Sequence, residues 1–173
     1  FYISIPVESS PSALAIENPW VVVSNIYSPG YIGGFSAIKH WNLSEQIFET
    51  TTFFTTKNVK QRQVRLSNIR VHLKTIKSDK IFGTKSVWIG SSKILVSDPS
   101  RTMVDLLDDP HLAGSMTVVR ELFEQYLESD YKNVSLMIEY ATKLGNKVVF
   151  KRLGFLLEVI SNEKPELLEA IQK

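Results

Sequence analysis

The sequence predicts an α+β fold: a mostly antiparallel sheet with an N-terminal helical hairpin, followed by a C-terminal layer of about four helices. The first observation is that hydrophobic residues change from strand to helical spacing at Asp98-Pro99. The second is that most segments before this pair alternate like strands, whereas the segments after it follow helical spacing. We therefore expect one domain over residues 1–173, with a mixed sheet and helix part at 1–110 and a helical part at 111–173.

The chain is predicted to begin with one strand and two helices. Tyr2–Ile5 alternates like a strand, and Asn18-Pro19 combines a helix cap with a proline suited to the first helical turn. The apolar residues of Trp20–Tyr27 fit one face of a helix, although three consecutive valines in this segment also suit a strand. Tyr31–Gly34 is predicted to lead as a turn into a second helix at 35–41, so that the two helices form a hairpin.

The middle of the chain supplies strands. Ile47–Thr56 is rich in Thr and Phe and has Phe residues on both faces, as expected for a strand that is covered on both sides. Val64–Leu66 and Ile69–Lys74 alternate apolar with polar residues and are joined by a two-residue turn. This turn fixes the register, because it places Arg65 opposite Arg70 on the outer side and the apolar neighbours opposite each other on the buried side.

A second hairpin leads into the first helix of the C-terminal layer. Val87–Ile89 is predicted to pair with Ile94–Val96. Asp98 suits the N-cap of the helix that follows, since its carboxylate can accept an amide proton of the first turn, and Pro99 suits the first helical position. Asp108–Pro110 ends this helix.

The remaining helices follow from apolar periodicity. Their predicted segments are Leu112–Leu127, Val134–Leu144, Val149–Ile160 and a short Pro165–Ile171. Gly145 is expected to end the second of these segments with a positive φ angle.

Charge is distributed unevenly along the chain. The formal net charge is +2, but residues 57–85 carry nine basic side chains against the single acid Asp79, a local charge of +8 that leaves −6 for the rest. This polarity favours an anionic partner for one part of the molecule. The basic residues in this stretch are Lys57, Lys60, Arg62, Arg65, Arg70, Lys74, Lys77, Lys80 and Lys85.

The polar side of the first hairpin has two interpretations. Its lysines and arginines can form a solvated edge that deters aggregation. Alternatively, like charges directly opposite each other cost up to about 1 kcal/mol unless an anion lies between them. The second interpretation predicts a nucleic-acid-binding surface of Lys57, Lys60, Arg62, Arg65, Arg70 and Lys74.

The sequence carries no recognisable catalytic constellation. The common phosphate-loop, dinucleotide, zinc-protease and hydrolase motifs are absent, and the chain has no cysteine for a disulfide or a thiolate metal site. The three histidines, His40, His72 and His111, show no ligand spacing. A carboxylate cluster is conceivable, but a helix cap and a turn explain Asp98 and Asp109 without a metal. We expect no cofactor, no metal and no enzymatic activity.

No targeting signal is visible. No apolar run approaches the roughly 18 residues of a membrane span, and no signal peptide is present. We therefore expect no membrane partner and a cytoplasmic protein.

Six segments together resemble a known family. In this order they are similar to the C-terminal domain of AbiEi-type antitoxins, the transcriptional regulators of abortive-infection toxin–antitoxin pairs, and the resemblance spans nearly the whole chain. The segments are Asn18–Trp20, Tyr31–Ala37, Phe53–Lys57, Phe82–Lys85, Ser97–Pro110 and Lys151–Leu156.

The resemblance implies a bacterial or archaeal domain that neutralises a cognate nucleotidyltransferase-like toxin, directly or functionally, and supports repression of the operon. Members of the family carry an N-terminal winged helix-turn-helix that binds the operator. The chain begins at Phe1, and we expect that such a domain precedes it. The motif positions, which we interpret as structural, are Tyr31, Gly33, Gly34, Ser36, Asp98, Arg101, Asp105 and Asp109.

Two other classes of function remain open. One is a nucleic-acid-binding module that uses the basic hairpin to contact DNA or RNA. The other is a diverged enzyme with a nuclease-like fold, against which counts the lack of a strand with an acid-x-Lys pair.

Overall fold

A computed structural model of the chain describes residues 18–46 and 50–169 and confirms the α+β class. The predicted strand Tyr2–Ile5 and the start of the predicted strand Ile47–Thr56 lie outside the described residues. In chain order the described elements are α1 (Pro19–Tyr27), β1 (Gly30–Ile32), α2 (Gly34–His40), β2 (Thr50–Thr55), β3 (Gln63–Leu66), β4 (Ile69–Thr75), β5 (Thr84–Ile89), β6 (Ser92–Ser97), α3 (Pro99–Asp108), α4 (Met116–Glu128), α5 (Val134–Leu144), α6 (Lys147–Glu163) and α7 (Pro165–Glu169).

The six strands form one mixed sheet with the order β3-β4-β2-β1-β6-β5. Three neighbouring pairs, β3–β4, β1–β2 and β5–β6, are antiparallel. The other two pairs, β4–β2 and β1–β6, are parallel. The sheet is thus mostly antiparallel, as predicted, but its two hairpins are attached to the centre by parallel pairings.

The segment Tyr31–Gly34 corrects the sequence prediction. It was predicted to be a turn, yet Tyr31 and Ile32 belong to β1, a three-residue strand near the middle of the sheet. Tyr31 pairs with Phe54, and Ile32 pairs with Phe53 and Val96. The helices on either side were predicted correctly, but a strand separates them, so the helical hairpin is not a direct one.

Both predicted β-hairpins are confirmed. In β3–β4, Leu66 pairs with Ile69 and Arg65 pairs with Arg70, the predicted register. Ser67 in the turn has a φ of 54°. In β5–β6, Val87 pairs with Ile94.

The sheet is covered on both faces, as the Phe residues on both faces of the predicted strand indicated. Phe53 lies in an apolar cluster on the face covered by α1, together with Val71 and Val96. Phe54 lies in the larger cluster on the opposite face, where the C-terminal helices pack. We call these the α1 face and the helical-layer face.

The junction at Asp98-Pro99 forms as predicted. The Asp98 carboxylate accepts a hydrogen bond from the Arg101 amide at 2.8 Å, and Pro99 occupies the first turn of α3. Gly145 ends α5 with a φ of 77°. One boundary differs, because Leu112 belongs to a 3₁₀ turn at Pro110–Ala113 and not to α4.

Across 18–46 and 50–169, every helix is too short or too polar to cross a membrane.

Candidate functional site

The six basic residues predicted to bind nucleic acid do not form one uniform patch. Lys60 and Arg62 are exposed in the segment before β3. Lys57 is also exposed, but its Nζ donates to the carbonyl oxygen of Ile26 at the end of α1. Lys74 is half-buried and bound by acids of the helical layer. The six residues therefore lie in or next to the β3–β4 hairpin, but their surroundings differ. We call the six together the basic hairpin.

The polar side of the hairpin faces the helical layer, which corrects the prediction that it is simply the outer side. Because β2 and β4 are parallel, Lys74 lies beside Phe54, whose ring belongs to the core under the helices. The Lys74 Nζ donates to Asp108 Oδ2 at 2.8 Å and lies 3.4 Å from Asp109 Oδ2. The C-terminal end of α3 thus covers Lys74, the last of the polar side chains on this face of β4.

A groove of about 560 Å³ lies beyond this ion pair, between the hairpin and the turn Pro110–Ala113. Polar side chains from three neighbouring strands form its floor. Its walls come from α2 and from the turn. The lining residues are Phe35, Thr50, Thr52, Gln63, Val64, Arg65, Arg70, Val71, His72, His111, Leu112 and Gly114.

Strand register explains how this floor is assembled. Arg70 pairs with Thr50 on one side and with Arg65 on the other. His72 is placed in the same way between Thr52 and Gln63. Paired residues point to the same face of a sheet, so the three strands present a grid of two rows of polar side chains to the groove. Among the residues that the structure describes, no acid lines this groove.

Two histidines that are far apart in the sequence meet at this groove. His111 is exposed on the turn, and His72 is half-buried on β4. Burial lowers the pKa of His72; Arg62 and Lys74 lower it further, and Asp109 opposes them. His72 is therefore mainly neutral at pH 7, and can donate one hydrogen bond to a ligand without carrying a charge. Spacing in the sequence gave no indication of this pair.

Three of the residues interpreted as structural from the sequence, Tyr31, Arg101 and Asp105, meet in a different place, a buried polar cluster under α3. The Arg101 side chain is 1% exposed. Its Nε donates to Asp105 Oδ1 at 2.9 Å, and its Nη2 donates to the Tyr31 hydroxyl at 2.9 Å. That hydroxyl donates to Asp105 Oδ2 at 3.0 Å, which closes a three-membered network. The guanidinium also lies 4.1 Å from the centre of the Phe82 ring.

Burial dominates the electrostatics of this cluster. It raises the pKa of the Tyr31 phenol well above its ordinary value, and the neighbouring Asp105 adds to the rise. Burial also raises the pKa of the Asp105 carboxyl, although Arg101 and Tyr31 oppose it. Burial alone would lower the pKa of Arg101, but Asp105 and Tyr31 raise it overall, so the guanidinium remains charged. This fits a structural role.

Asp98 serves α3 and also links it to α5. Besides capping the helix, its Oδ2 accepts a hydrogen bond from the Tyr140 hydroxyl at 2.8 Å. Burial and the bond to Asp98 raise the pKa of Tyr140. Near the same cap, the Thr102 hydroxyl donates to the Asp98 carbonyl at 2.7 Å. The contact with Tyr140 could not be expected from the sequence, since 42 positions separate the two residues.

The glycine pair and Ser36 allow α2 to lie close to β2. A Cβ atom on Gly33 would lie 2.5 Å from the Phe54 ring, and one on Gly34 would lie 3.1 Å from the Thr52 side chain. The Ser36 hydroxyl accepts a hydrogen bond from the Thr52 amide at 3.0 Å. These contacts agree with the interpretation of Tyr31–Ser36 as a packing motif.

In the part of the chain that the structure describes, no group of three or more His, Asp or Glu side chains could hold a metal ion. Asp98 and Asp105 lie in the buried cluster, whereas Asp108 and Asp109 bind Lys74. The acids of this region are thus used for capping and ion pairing.

Comparison with protein families finds no family model that matches this chain, and comparison with curated proteins finds no match.

Proposed function

We propose that this chain is the antitoxin domain of a bacterial or archaeal toxin–antitoxin pair of the AbiEi type. It neutralises a nucleotidyltransferase-like toxin, directly or by holding a nucleic acid that the toxin needs, and it supports repression of the operon. The proposal comes from the resemblance of six sequence segments to this family.

The observation that supports the proposal best is the packing of those segments. Four of the six meet around the buried Arg101: the Tyr31 hydroxyl accepts a hydrogen bond from it, the Tyr31 ring stacks on Phe54, and Phe82 lies against its guanidinium. The fifth segment joins them, because Arg152 Nη1 donates to the carbonyl oxygen of Leu107 at 2.6 Å. Segments spread over more than 100 positions therefore form one structural unit, as expected for sequence motifs that the members of a protein family share.

Neutralisation by binding requires a surface, and the basic hairpin provides one. Lys60, Arg62 and Arg65 are exposed at the edge of the sheet, beside a groove that no acid lines among the described residues. An anionic surface of the toxin or a polynucleotide would complement it. Arginine forms paired hydrogen bonds with carboxylates and with phosphates, so it can contact either partner.

A growth assay tests the proposal. The chain is expressed beside its cognate toxin, the nucleotidyltransferase-like protein encoded next to it. Restored growth is the expected result. Continued toxicity at a soluble antitoxin level that is confirmed by immunoblot would refute the assignment.

A nucleic-acid-binding module without any toxin partner is the second candidate, and the same basic hairpin favours it. The double variant Arg65→Glu with Arg70→Glu should weaken polynucleotide binding and reduce its dependence on salt. Each phosphate contact releases counterions from the nucleic acid, so binding with fewer contacts releases fewer of them. The matched control reverses Lys93→Glu and Lys132→Glu, which are exposed elsewhere. Equal salt slopes for the two double variants would rule out the basic hairpin as the contact surface.

A further inference from the structure

We infer that the groove beside the basic hairpin is a binding site for the phosphate group of a nucleotide or of a single-stranded nucleic acid. This inference rests on the proposed function, because it narrows the basic hairpin to one place where a phosphate is held. It adds a ligand chemistry and a set of contacting residues that the resemblance does not supply.

The first argument is the chemistry of the lining. Arg65 and His111 stand at the exposed rim, and Gln63, Thr50 and Thr52 add side-chain donors from two strands. All of these groups can donate to phosphate oxygens. The described lining residues contain arginine, histidine, amide and hydroxyl groups and no carboxylate, a composition that favours an anion over a cation.

The second argument is the position of Arg65. Its Nε donates to the carbonyl oxygen of Ser67 at 3.1 Å, which orients the guanidinium from the edge strand. This hydrogen bond uses one of the five N–H groups of the guanidinium. The terminal nitrogens can therefore form the paired hydrogen bonds by which arginine recognises phosphate.

The third argument is the pairing of the acids at the end of α3. Asp108 and Asp109 both bind Lys74. Asp108 is further bound by Asn146, whose Nδ2 donates to it at 2.7 Å. The Lys74 ammonium group balances one of the two negative charges and so reduces the repulsion that these acids would exert on a phosphate.

The fourth argument is size. A volume of about 560 Å³ lies within the roughly 300–1,000 Å³ typical of small-molecule sites. It accommodates a phosphate together with a base or sugar. Leu112 and Phe35 supply apolar surface beside the polar floor, as expected for a ligand that carries a planar or apolar group.

Calorimetric titration of the full chain tests this inference with three probes: inorganic phosphate, UMP and a short single-stranded oligo(U). The test variants are Arg65→Gln and His111→Gln, both at exposed positions where folding should be unaffected. The matched control is Lys93→Gln, a basic and exposed position on β6 that does not line the groove. Thermal melting confirms that all variants fold.

We expect UMP or oligo(U) to bind, with inorganic phosphate competing. Arg65→Gln should raise the Kd about tenfold, the effect of one charge-assisted hydrogen bond, His111→Gln should raise it less, and Lys93→Gln should leave it unchanged. Binding of UMP identifies a nucleotide as the source of the phosphate, and binding of oligo(U) alone identifies a strand. Absence of binding by all three probes would overturn the inference, as would an equal loss in Lys93→Gln and Arg65→Gln, which indicates diffuse charge.

The two proposals can fail separately. If growth is restored by the chain but no probe binds in the groove, only the phosphate site is wrong. If probes bind as expected but the toxin is not neutralised, only the antitoxin assignment is wrong.

Discussion

Replacing Asp105 with alanine should be among the most damaging single changes in this fold. The substitution removes both oxygens that accept hydrogen bonds from Arg101 Nε and from the Tyr31 hydroxyl. Arg101 would then remain buried and charged, with only Tyr31 and the Phe82 ring beside it. Breaking a buried pair by removing one partner costs about 3–5 kcal/mol, and we expect Asp105→Ala to lose a value in this range.

A double-mutant cycle separates the pair from the rest of the cluster. The variants are Asp105→Ala, Arg101→Met and the double variant, each measured by urea unfolding at equilibrium. The double variant has no buried charge left to compensate. We therefore expect it to be more stable than the sum of the single losses predicts, with an interaction energy above about 1 kcal/mol.

An exposed pair with the same spacing gives the control. Arg120 and Glu124 on α4 are also four residues apart, and the Arg120 side chain is about one-third exposed. Arg120→Met should cost little, since surface ion pairs contribute little to stability. The reasoning is refuted if Asp105→Ala costs no more than Arg120→Met, or if the two changes in the cluster are additive.

Three further predictions concern the helix cap at Asp98, the glycine at position 33 and the stability of the fold at acidic pH. Asp98→Ala should lose about 0.5–2 kcal/mol as a helix cap, read from urea unfolding, and a variant that unfolds like the wild type would contradict the capping role. Gly33→Ala should lower the free energy of unfolding by about 1–3 kcal/mol through overpacking against Phe54. Gly154→Ala in α6, whose Cβ would meet no neighbour within 4 Å, should raise it by about 0.5–1 kcal/mol. A change of the same sign in both variants would show that close approach does not explain Gly33. Burial alone would raise the pKa of Asp108, but hydrogen bonds from Lys74 and Asn146 lower it overall. The ion pair with Lys74 should therefore stabilise the fold above about pH 4 and lose this effect as the pH falls further. Melting temperatures of Lys74→Met should differ from those of the wild type at pH 7 and approach them below pH 4, and a difference that does not change with pH would argue against the ion pair.

Sequence reasoning predicted the parts of the fold that local chemistry determines. The two-residue turn at Ser67-Asn68 sets the register of β3–β4, and the cap at Asp98 sets the start of α3. Strand β1 was missed because it has three residues, of which only Tyr31 and Ile32 lie between a Pro-Gly and a Gly-Gly pair, and such a strand is too short for an alternation signal. Its pairing is set by distant partners, Phe54 and Val96, and not by its own residues.

The candidate site was predicted only as a set of charges. The sequence correctly placed Arg65 opposite Arg70, but it could not show that the turn at 110–113 forms one wall of this side of the hairpin. Nor could it show that Lys74 is held by Asp108, which lies 34 positions away. A buried arginine such as Arg101 is equally hard to foresee, because arginine is rarely fully buried and its partner Tyr31 is 70 positions distant.

The central claim is that this chain neutralises a toxin through its basic hairpin, and growth rescue by charge-reversed variants tests it most directly. Wild-type chain, Arg65→Glu with Arg70→Glu, and the control Lys93→Glu with Lys132→Glu are each expressed beside the cognate toxin at equal soluble levels. We predict that the wild type and the control restore growth and that the hairpin variant does not. Full rescue by the hairpin variant would contradict the claim.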